Sequence, residues 1–308
     1  MSVVLIVLFF VSGLFCFGQQ KQVCLSIDDL PVVNHGITDS LYQKNVFIKI
    51  LSSLKKNEVP AIGFVNEGKL YNSENVMQYQ VDFLKDWVTS GFELGNHTFS
   101  HPDYNHVPFR IYVNSIIKGE TITKRILYEQ NKRIKYFRHP FLHVGNTKSK
   151  ADSLDNFLKN HNYSVAPVTI DNEDYVFALA YTRAKQKNDT TLMNKIGREY
   201  ISYMEKKIKY FEKQSNHLFG RNISQILLIH ASLLNSDYLN SLIALYKANN
   251  YVFVSMDRAL KDPAYKTEVT VFGNWGISWI DRWALSVGKK EFFKEDPATP
   301  DYIKKLSE

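Results

Sequence analysis

Apolar positions along this chain alternate between two rhythms. Short unbroken runs read as buried strands, and longer stretches with apolar residues three and four apart read as helices. Gln22–Pro31 opens the series as a strand ended by acid and proline. A helix over Leu41–Asn57 follows, with Val46, Ile50, Leu51 and Leu54 at helical spacing, then a strand at Ala61–Val65. Val76–Ser90 predicts a helix that turns Phe83, Leu84 and Trp87 inward and is capped by Gly91. Phe92–Gly95 is a short strand, Phe109–Gln130 a helix, Ile134–Phe137 a strand, Ser153–Asn160 a helix and Tyr163–Val168 a strand. Two helices, Phe177–Lys187 and Thr191–Gln214, precede the most apolar strand, Gln225–His230. The longer helix carries Ile196, Tyr200, Met204, Ile208 and Phe211 as a core-facing stripe. Tyr238–Asn249 and Tyr251–Ser255 supply a last helix and strand.

A β-then-α order of this kind predicts an α/β fold built on a parallel sheet or barrel, with chemistry at the C-terminal ends of the strands. Polar groups do recur there: Asp28-Asp29, His97, Arg138, Asp171 to Tyr175 and His230. From Lys261 the pattern changes to a proline- and tryptophan-containing tail with Trp275, Trp279 and Trp283. Ile280, Trp283, Ala284 and Val287 fall on one helical face, which favours packing on the main domain over a sugar-stacking platform. The expected division is therefore a domain over 19–260 and a C-terminal extension over 261–308.

Composition adds limits. The chain has 308 residues, 44% hydrophobic and 22% charged, which is ordinary for a globular protein. Its formal charge of +7 would suit an anionic partner such as a cell-wall polymer or a membrane surface, but the lysines are spread and read more simply as solvated faces; no nucleic-acid motif is present, so nucleic acid is discounted. Ser2–Phe17 is almost wholly apolar and ends in Cys16-Phe17-Gly18 before Gln19-Gln20-Lys21, the pattern of a signal peptide cleaved after Gly18. It is shorter than the ~20 residues of a membrane span, and an uncleaved membrane anchor is the second reading. The expectation is an exported protein, periplasmic or secreted, with no stable membrane span after removal of residues 1–18. Cys24 is then the sole cysteine, a buried strand thiol with no disulfide partner.

The chemistry centres on Glu93-Leu94-Gly95-Asn96-His97-Thr98-Phe99-Ser100-His101. Two imidazoles four residues apart, placed on one side of a helical turn, can reach a single ion. The carboxylates Asp28-Asp29 offer the third ligand that such a pair lacks. Arg138 and His230 taken singly read as structural residues; in company with the histidine pair they read as functional.

These pieces, in order over Val23 to Leu260, resemble the polysaccharide deacetylase family, the NodB-homology domain of carbohydrate esterase family 4. Ser26-Ile27-Asp28-Asp29-Leu30 is similar to its T-F-D-D-G motif, and His97-Thr98-Phe99-Ser100-His101 matches H-[ST]-x-x-H in full. Arg138-His139-Pro140-Phe141 matches R-x-P-[YF], Asp171-Asn172-Glu173-Asp174-Tyr175 approaches D-x-x-D-W, and Leu228-Ile229-His230 matches L-x-H. The resemblance implies a distorted (β/α) barrel. It implies Asp29, His97 and His101 as ligands of a divalent metal, zinc first, with cobalt or nickel as substitutes. It further implies Asp28 as the base that activates water, Arg138 as the group holding that base, Asp174 as the acid orienting this arginine, and His230 as the acid protonating the leaving amine. The Phe141 backbone N–H would meet the oxyanion, Leu228 the acetyl methyl, and Tyr175 the substrate groove. His35, His106, His139 and His143 lie near the motifs without an assigned role, His106 being the most plausible substitute ligand.

The departures are Leu30-Pro31 in place of glycine, Tyr175 in place of tryptophan, and the long helical segment from Val176 to Gly220. The expected function is a metal-dependent hydrolase removing N-acetyl groups from peptidoglycan or a chitin-like oligosaccharide. The alternatives are an O-acetyl esterase or small-amide hydrolase of the same chemistry, and a non-catalytic glycan-binding protein. The sequence sets no oligomeric state.

Overall fold

The computed structural model describes residues 20–308, so the expected signal peptide lies outside the described residues. Strand β1, Lys21–Leu30, is followed by helix α1, Ser40–Lys56, and strand β2, Ala61–Val65. A small hairpin, β3 (Tyr71–Asn72) with β4 (Asn75–Val76), leads to α2, Gln78–Thr89, and β5, Glu93–Asn96. Then come α3 (Phe109–Lys118), α4 (Thr121–Tyr128), β6 (Tyr136–Phe137), α5 (Lys148–Asn160) and β7 (Ser164–Val165). Helices α6 (Asp174–Gln186) and α7 (Thr190–Phe219) precede β8, Gln225–His230, which is followed by α8, Leu233–Ala248, and β9, Tyr251–Phe253. A single turn, α9 (Met256–Ala259), leads into the tail helices α10, Trp279–Ser286, and α11, Asp301–Ser307.

The main sheet has seven strands in the order β7-β6-β5-β2-β1-β8, with β9 also on β1, and every pairing in it is parallel. Its two ends are joined by one stretch of chain. Ser164 and Val165 pair with β6, and a few residues on, Thr169 and Ile170 donate their N–H groups to Ile226 O, with Ile170 bridged to Leu227. The sheet thereby curls into a distorted barrel. Parallel strands buried on both faces need apolar residues throughout, and β1, β2 and β8 are buried along almost their whole length. Helices cover the outside; α1 and α2 meet through Phe47 stacked on Phe83 at 4.8 Å, beside the fully buried Trp87.

The elements differ from expectation where local chemistry intervenes. The single helix expected over Phe109–Gln130 is two, broken at Gly119-Glu120. Gly119 lies so close to Thr98 that a Cβ there would stand 2.4 Å from the Thr98 carbonyl carbon, so the break lets the helix pass under the histidine loop. The strand expected over Tyr163–Val168 is regular only at Ser164–Val165. Helix α8 begins at Leu233, five residues earlier than expected, because Ser232 caps it by accepting from Asn235 N. Cys24 is buried, with no thiol partner among the described residues, and burial pushes it above its ordinary range.

In the tail, α10 sits against the barrel with Trp279 N donating to Val168 O at 2.7 Å, and Trp283 packs edge-on against Phe219 and Tyr265. Ile280, Trp283 and Ala284 are buried, but Val287 stands past the helix end and is 57% exposed. It is therefore not part of the packed face. Helix α11 lies on α6, where Arg183 Nη1 donates to Leu306 O. Among the described residues no helix is long and apolar enough to cross a membrane.

Candidate active site

Asp28 and Asp29 are neighbours on β1, and in a regular strand their side chains would point to opposite faces. The pairing of β1 with β2 shifts register between Ile27 and Leu30, and Asp29 takes a left-handed conformation with φ 66°. An aspartate tolerates this better than a branched residue. The irregularity turns both carboxylates toward one site. Asp28 Oδ2 lies 3.8 Å from His97 Nε2, and Asp29 Oδ1 lies 3.7 Å from the same atom and 3.9 Å from His101 Nε2.

The expected helical turn at His97–His101 does not form. The stretch is a loop, with Thr98 at φ 67° and His101 at φ 52°. Its hydrogen-bonding groups are satisfied sideways instead. Asn66 Nδ2 donates to His97 O, Gly68 N to Phe99 O and Phe99 N to Ser115 O, while His101 N donates to Thr98 Oγ1. This cross-bracing, not i to i+4 geometry, brings the two rings within 4.8 Å. His97 is buried and held well below the ordinary histidine range by that burial and by His101, so its Nδ1–H donates to Arg138 O at 2.8 Å and its Nε2 lone pair faces the carboxylates.

One donor atom from each of Asp29, His97 and His101 falls within 4.8 Å of the others. Ligands held at about 2.0–2.2 Å around a tetrahedral ion stand about 3.3–3.6 Å apart, so the set fits a divalent metal after a small contraction. Asp29 Oδ1 is buried with no hydrogen-bond donor, the mark of an atom awaiting a cation. Burial would raise the Asp29 carboxyl, but Lys69, whose Nζ lies 3.3 Å from Oδ2, together with the histidines holds it well below the usual carboxylate range. Nothing in the sequence marks Lys69, which lies in the short turn Glu67–Leu70 just after β2. His106 is excluded as a ligand: it is exposed, and its ring bonds Asp103 at 2.7 Å, with Asp103 also taken by His143.

Arg138 is fully buried and spreads its guanidinium over three partners: Ala166 O, Ser26 Oγ and, more loosely, Asp28 Oδ2 at 3.4 Å. Burial pushes Asp28 up to about 6, against the pull of Arg138 and His230, and leaves its Oδ1 without a partner. Asp174 does not orient Arg138, contrary to expectation. Its Oδ1 accepts from His230 Nδ1 at 2.7 Å, and its Oδ2 accepts from His230 N and Asn235 Nδ2. The reason is topological: Asp174 begins α6, which packs beside the C-terminal end of β8, whereas Arg138 is tied to β1 and to the stretch after β7. Burial alone would lower His230; the adjoining Asp174 carboxylate reverses this and raises it to about 9.

A cavity of about 790 Å³ joins these groups, and Asp28, Asp29, His97, His101, Leu228 and His230 all line it. Phe141 and Tyr175, each 53% exposed, stand on its walls; the Phe141 ring meets His101 edge-on at 4.5 Å and Tyr175 does the same to His230 at 6.1 Å. Phe141 and Leu142 are consecutive left-handed residues, φ 56° and 54°, which costs on the order of 1–2 kcal/mol each and has to be held from outside. The C-terminal extension also reaches the cavity through Gly276, Ile277 and Asp281.

Comparison with known proteins converges on one family. Residues 18–161 match the family model described as polysaccharide deacetylase. The chain is 26% identical over 159 residues to a chitin deacetylase of Colletotrichum lindemuthianum, covering 51% of this chain and 60% of the relative. It is 31% identical over 110 residues to a peptidoglycan-N-acetylglucosamine deacetylase of Bacillus cereus, covering 36% of each. The matched region thus spans less than two thirds of either relative. In fold, the chain is similar to the solved chitin deacetylase of Colletotrichum lindemuthianum, with TM-score 0.51, 22% identity, and 80% and 89% of the two chains covered. It is equally similar in fold to a mutant of a CE4 family pseudoenzyme from Bacillus anthracis, with TM-score 0.51, 16% identity, and 79% and 68% covered.

Proposed function

This chain being a divergent member of the polysaccharide deacetylase family, we propose that it is a metal-dependent hydrolase that removes N-acetyl groups from a peptidoglycan- or chitin-like glycan. The observation that carries the proposal is the placement of two proton carriers, Asp28 raised to about 6 and His230 raised to about 9, on one cavity with the Asp29, His97 and His101 donor set.

Asp29, His97 and His101 would hold the divalent ion, zinc in the first instance. When bound, it supplies Lewis acidity, polarising the acetyl carbonyl and acidifying water. Asp28 has Oδ2 facing Arg138 and His97 and Oδ1 without a partner, so Oδ1 is the atom that takes the proton from the attacking water. The water oxygen bonds to the carbonyl carbon, and the Phe141 N–H steadies the negative oxygen that results. His230, charged up to about pH 9 and held through Nδ1 by Asp174, gives its Nε2 proton to the departing nitrogen as the carbon–nitrogen bond breaks. Acetate and a free amine are the products. Leu228 offers the apolar wall for the acetyl methyl, and Tyr175 a face for the sugar beside His230. The protein would be exported, with a leader over residues 1–18; a mature N-terminus other than Gln19 would oppose that.

The test is acetate release from N- and O-acetylated glycans before and after chelation, with zinc or cobalt restored. Release from N-acetylated substrates that vanishes with chelator and returns with metal is expected. Release from O-acetylated glycans alone would redirect the activity to ester hydrolysis. Silence on every substrate, in protein shown to hold metal, would place the chain with glycan-binding proteins.

A further inference from the structure

The loop from Arg138 to His143 is held in place by the C-terminal extension. Arg282, on α10, is 1% exposed, and its Nη2 donates to Leu142 O at 2.8 Å and to Trp275 O at 3.1 Å. Beside it, Gly276 lies so close to Phe141 that a Cβ would stand 1.9 Å from the Phe141 carbonyl oxygen. Arg282 is itself fixed, lying over the Trp279 ring at 5.4 Å on a helix pinned through Trp279 N to Val168 O. Two consecutive left-handed residues, neither of them glycine, therefore meet the extension through the Arg282 hydrogen bond to the carbonyl of the second and the close approach of Gly276 to the carbonyl of the first.

That loop serves several parts of the cavity. The Arg138 carbonyl orients His97, the Arg138 guanidinium reaches Asp28, and Phe141 meets the ring of His101. A backbone that relaxed at Phe141 and Leu142 would carry the Phe141 N–H away from the reacting carbonyl, while Asp29, His97 and His101, held by β1 and by the Asn66–Gly68 and Ser115 contacts, would stay. We propose that Arg282 is a positioning residue for the hydrolysis, and that the C-terminal extension completes the active site by clamping the Phe141-Leu142 backbone. This rests on the functional reading above.

The experiment compares wild type with Arg282→Ala, Arg282→Lys and Gly276→Ala by steady-state acetate release, by the visible spectrum of the cobalt-loaded protein, and by hydrogen exchange of peptides covering 138–143. Arg282→Ala is expected to lower kcat about 10- to 100-fold with KM changed less than about threefold, since small misplacement of a reacting group acts on turnover. Its cobalt spectrum should be unchanged and exchange in 138–143 faster. Arg282→Lys, able to keep one bond to Leu142 O, should recover most of kcat. Gly276→Ala, at an exposed position that threatens no core, should lose kcat by pushing the same loop. Exchange in 138–143 and kcat both unaltered in Arg282→Ala and Gly276→Ala would overturn the proposal. A wild type with no acetate release whose 138–143 exchange still responds to Arg282→Ala would overturn the hydrolase reading and keep the clamp. If Arg282→Ala does not fold, Gly276→Ala and Arg282→Lys decide by the same readouts.

Discussion

Asp28–Arg138 and His230–Asp174 are both acid–base pairs buried beside one cavity, yet a different force prevails in each. Arg138 divides its donors among Ala166, Ser26 and Asp28 and reaches the carboxylate only at 3.4 Å. Burial wins there, and Asp28 rises to about 6. Asp174 gives one oxygen to His230 Nδ1 at 2.7 Å and the other to its N–H, and attraction wins over burial, lifting His230 to about 9. Desolvation prevails in one pair and the attraction of a neighbouring carboxylate in the other, so that between pH values of about 6 and about 9 Asp28 would accept a proton and His230 would give one.

The sharpest break of this contrast is Asp28→Asn, which leaves Arg138 bonded but removes the acceptor. Acetate release should fall about 10³- to 10⁴-fold, the upper range for a general base, while metal content by elemental analysis stays at the wild-type level. Full activity would remove Asp28 from the mechanism.

Asp174→Asn tests the other side and should cost about 10²-fold in kcat. The sign follows from His230 acting in its protonated form. In wild type that form, and with it the rate, declines as pH rises through about 9. Without the carboxylate, burial is opposed only by the weaker pull of Asp29 and Asp28, His230 drops, and the alkaline limb of the kcat profile moves to lower pH. A limb that stays in place would assign it to another group.

Arg138→Lys keeps the charge but cannot serve three separate acceptors. About tenfold in kcat is expected, with a loss of about 3 kcal/mol in urea denaturation because Ser26 Oγ and Ala166 O lose a buried donor. The smallest effect belongs to Tyr175→Ala. Its ring approaches His230 edge-on without a hydrogen bond to it, so KM should rise about two- to fivefold with kcat nearly kept, as for loss of one aromatic contact.

How legible the site was depended on what held each residue. The order of strands and the groups at their ends could be read from runs such as Ile226–Ile229 followed by His230, because a strand buried on both faces leaves an unbroken apolar signature. The partners of those groups could not. Asp174 is 56 residues from His230, and nothing local distinguishes an aspartate that starts α6 beside β8 from one that reaches Arg138. The loop at His97–His101 has helical spacing in sequence, but its conformation is set by Asn66, Gly68 and Ser115, all distant along the chain. Lys69 and Arg282 carried no pattern at all; each matters only because the fold brings it to Asp29 or Leu142. Among the tail tryptophans, Trp279 and Trp283 are 9% and 1% exposed, so they serve packing in place of an open sugar platform.

The position of β1 has a consequence for how the molecule comes to exist. Its residues Val23 to Asp28 pair with β8 from Gln225 to His230, about two hundred residues later in synthesis. A chain growing from its N-terminus therefore carries its first strand, with Asp28 and Asp29, unpaired on one edge until nearly three quarters of the polypeptide has been made. Contacts of such long sequence separation form late and slowly. The proposed site, which needs His230 at the end of β8 beside Asp28 on β1, can therefore be completed only after most of the polypeptide exists.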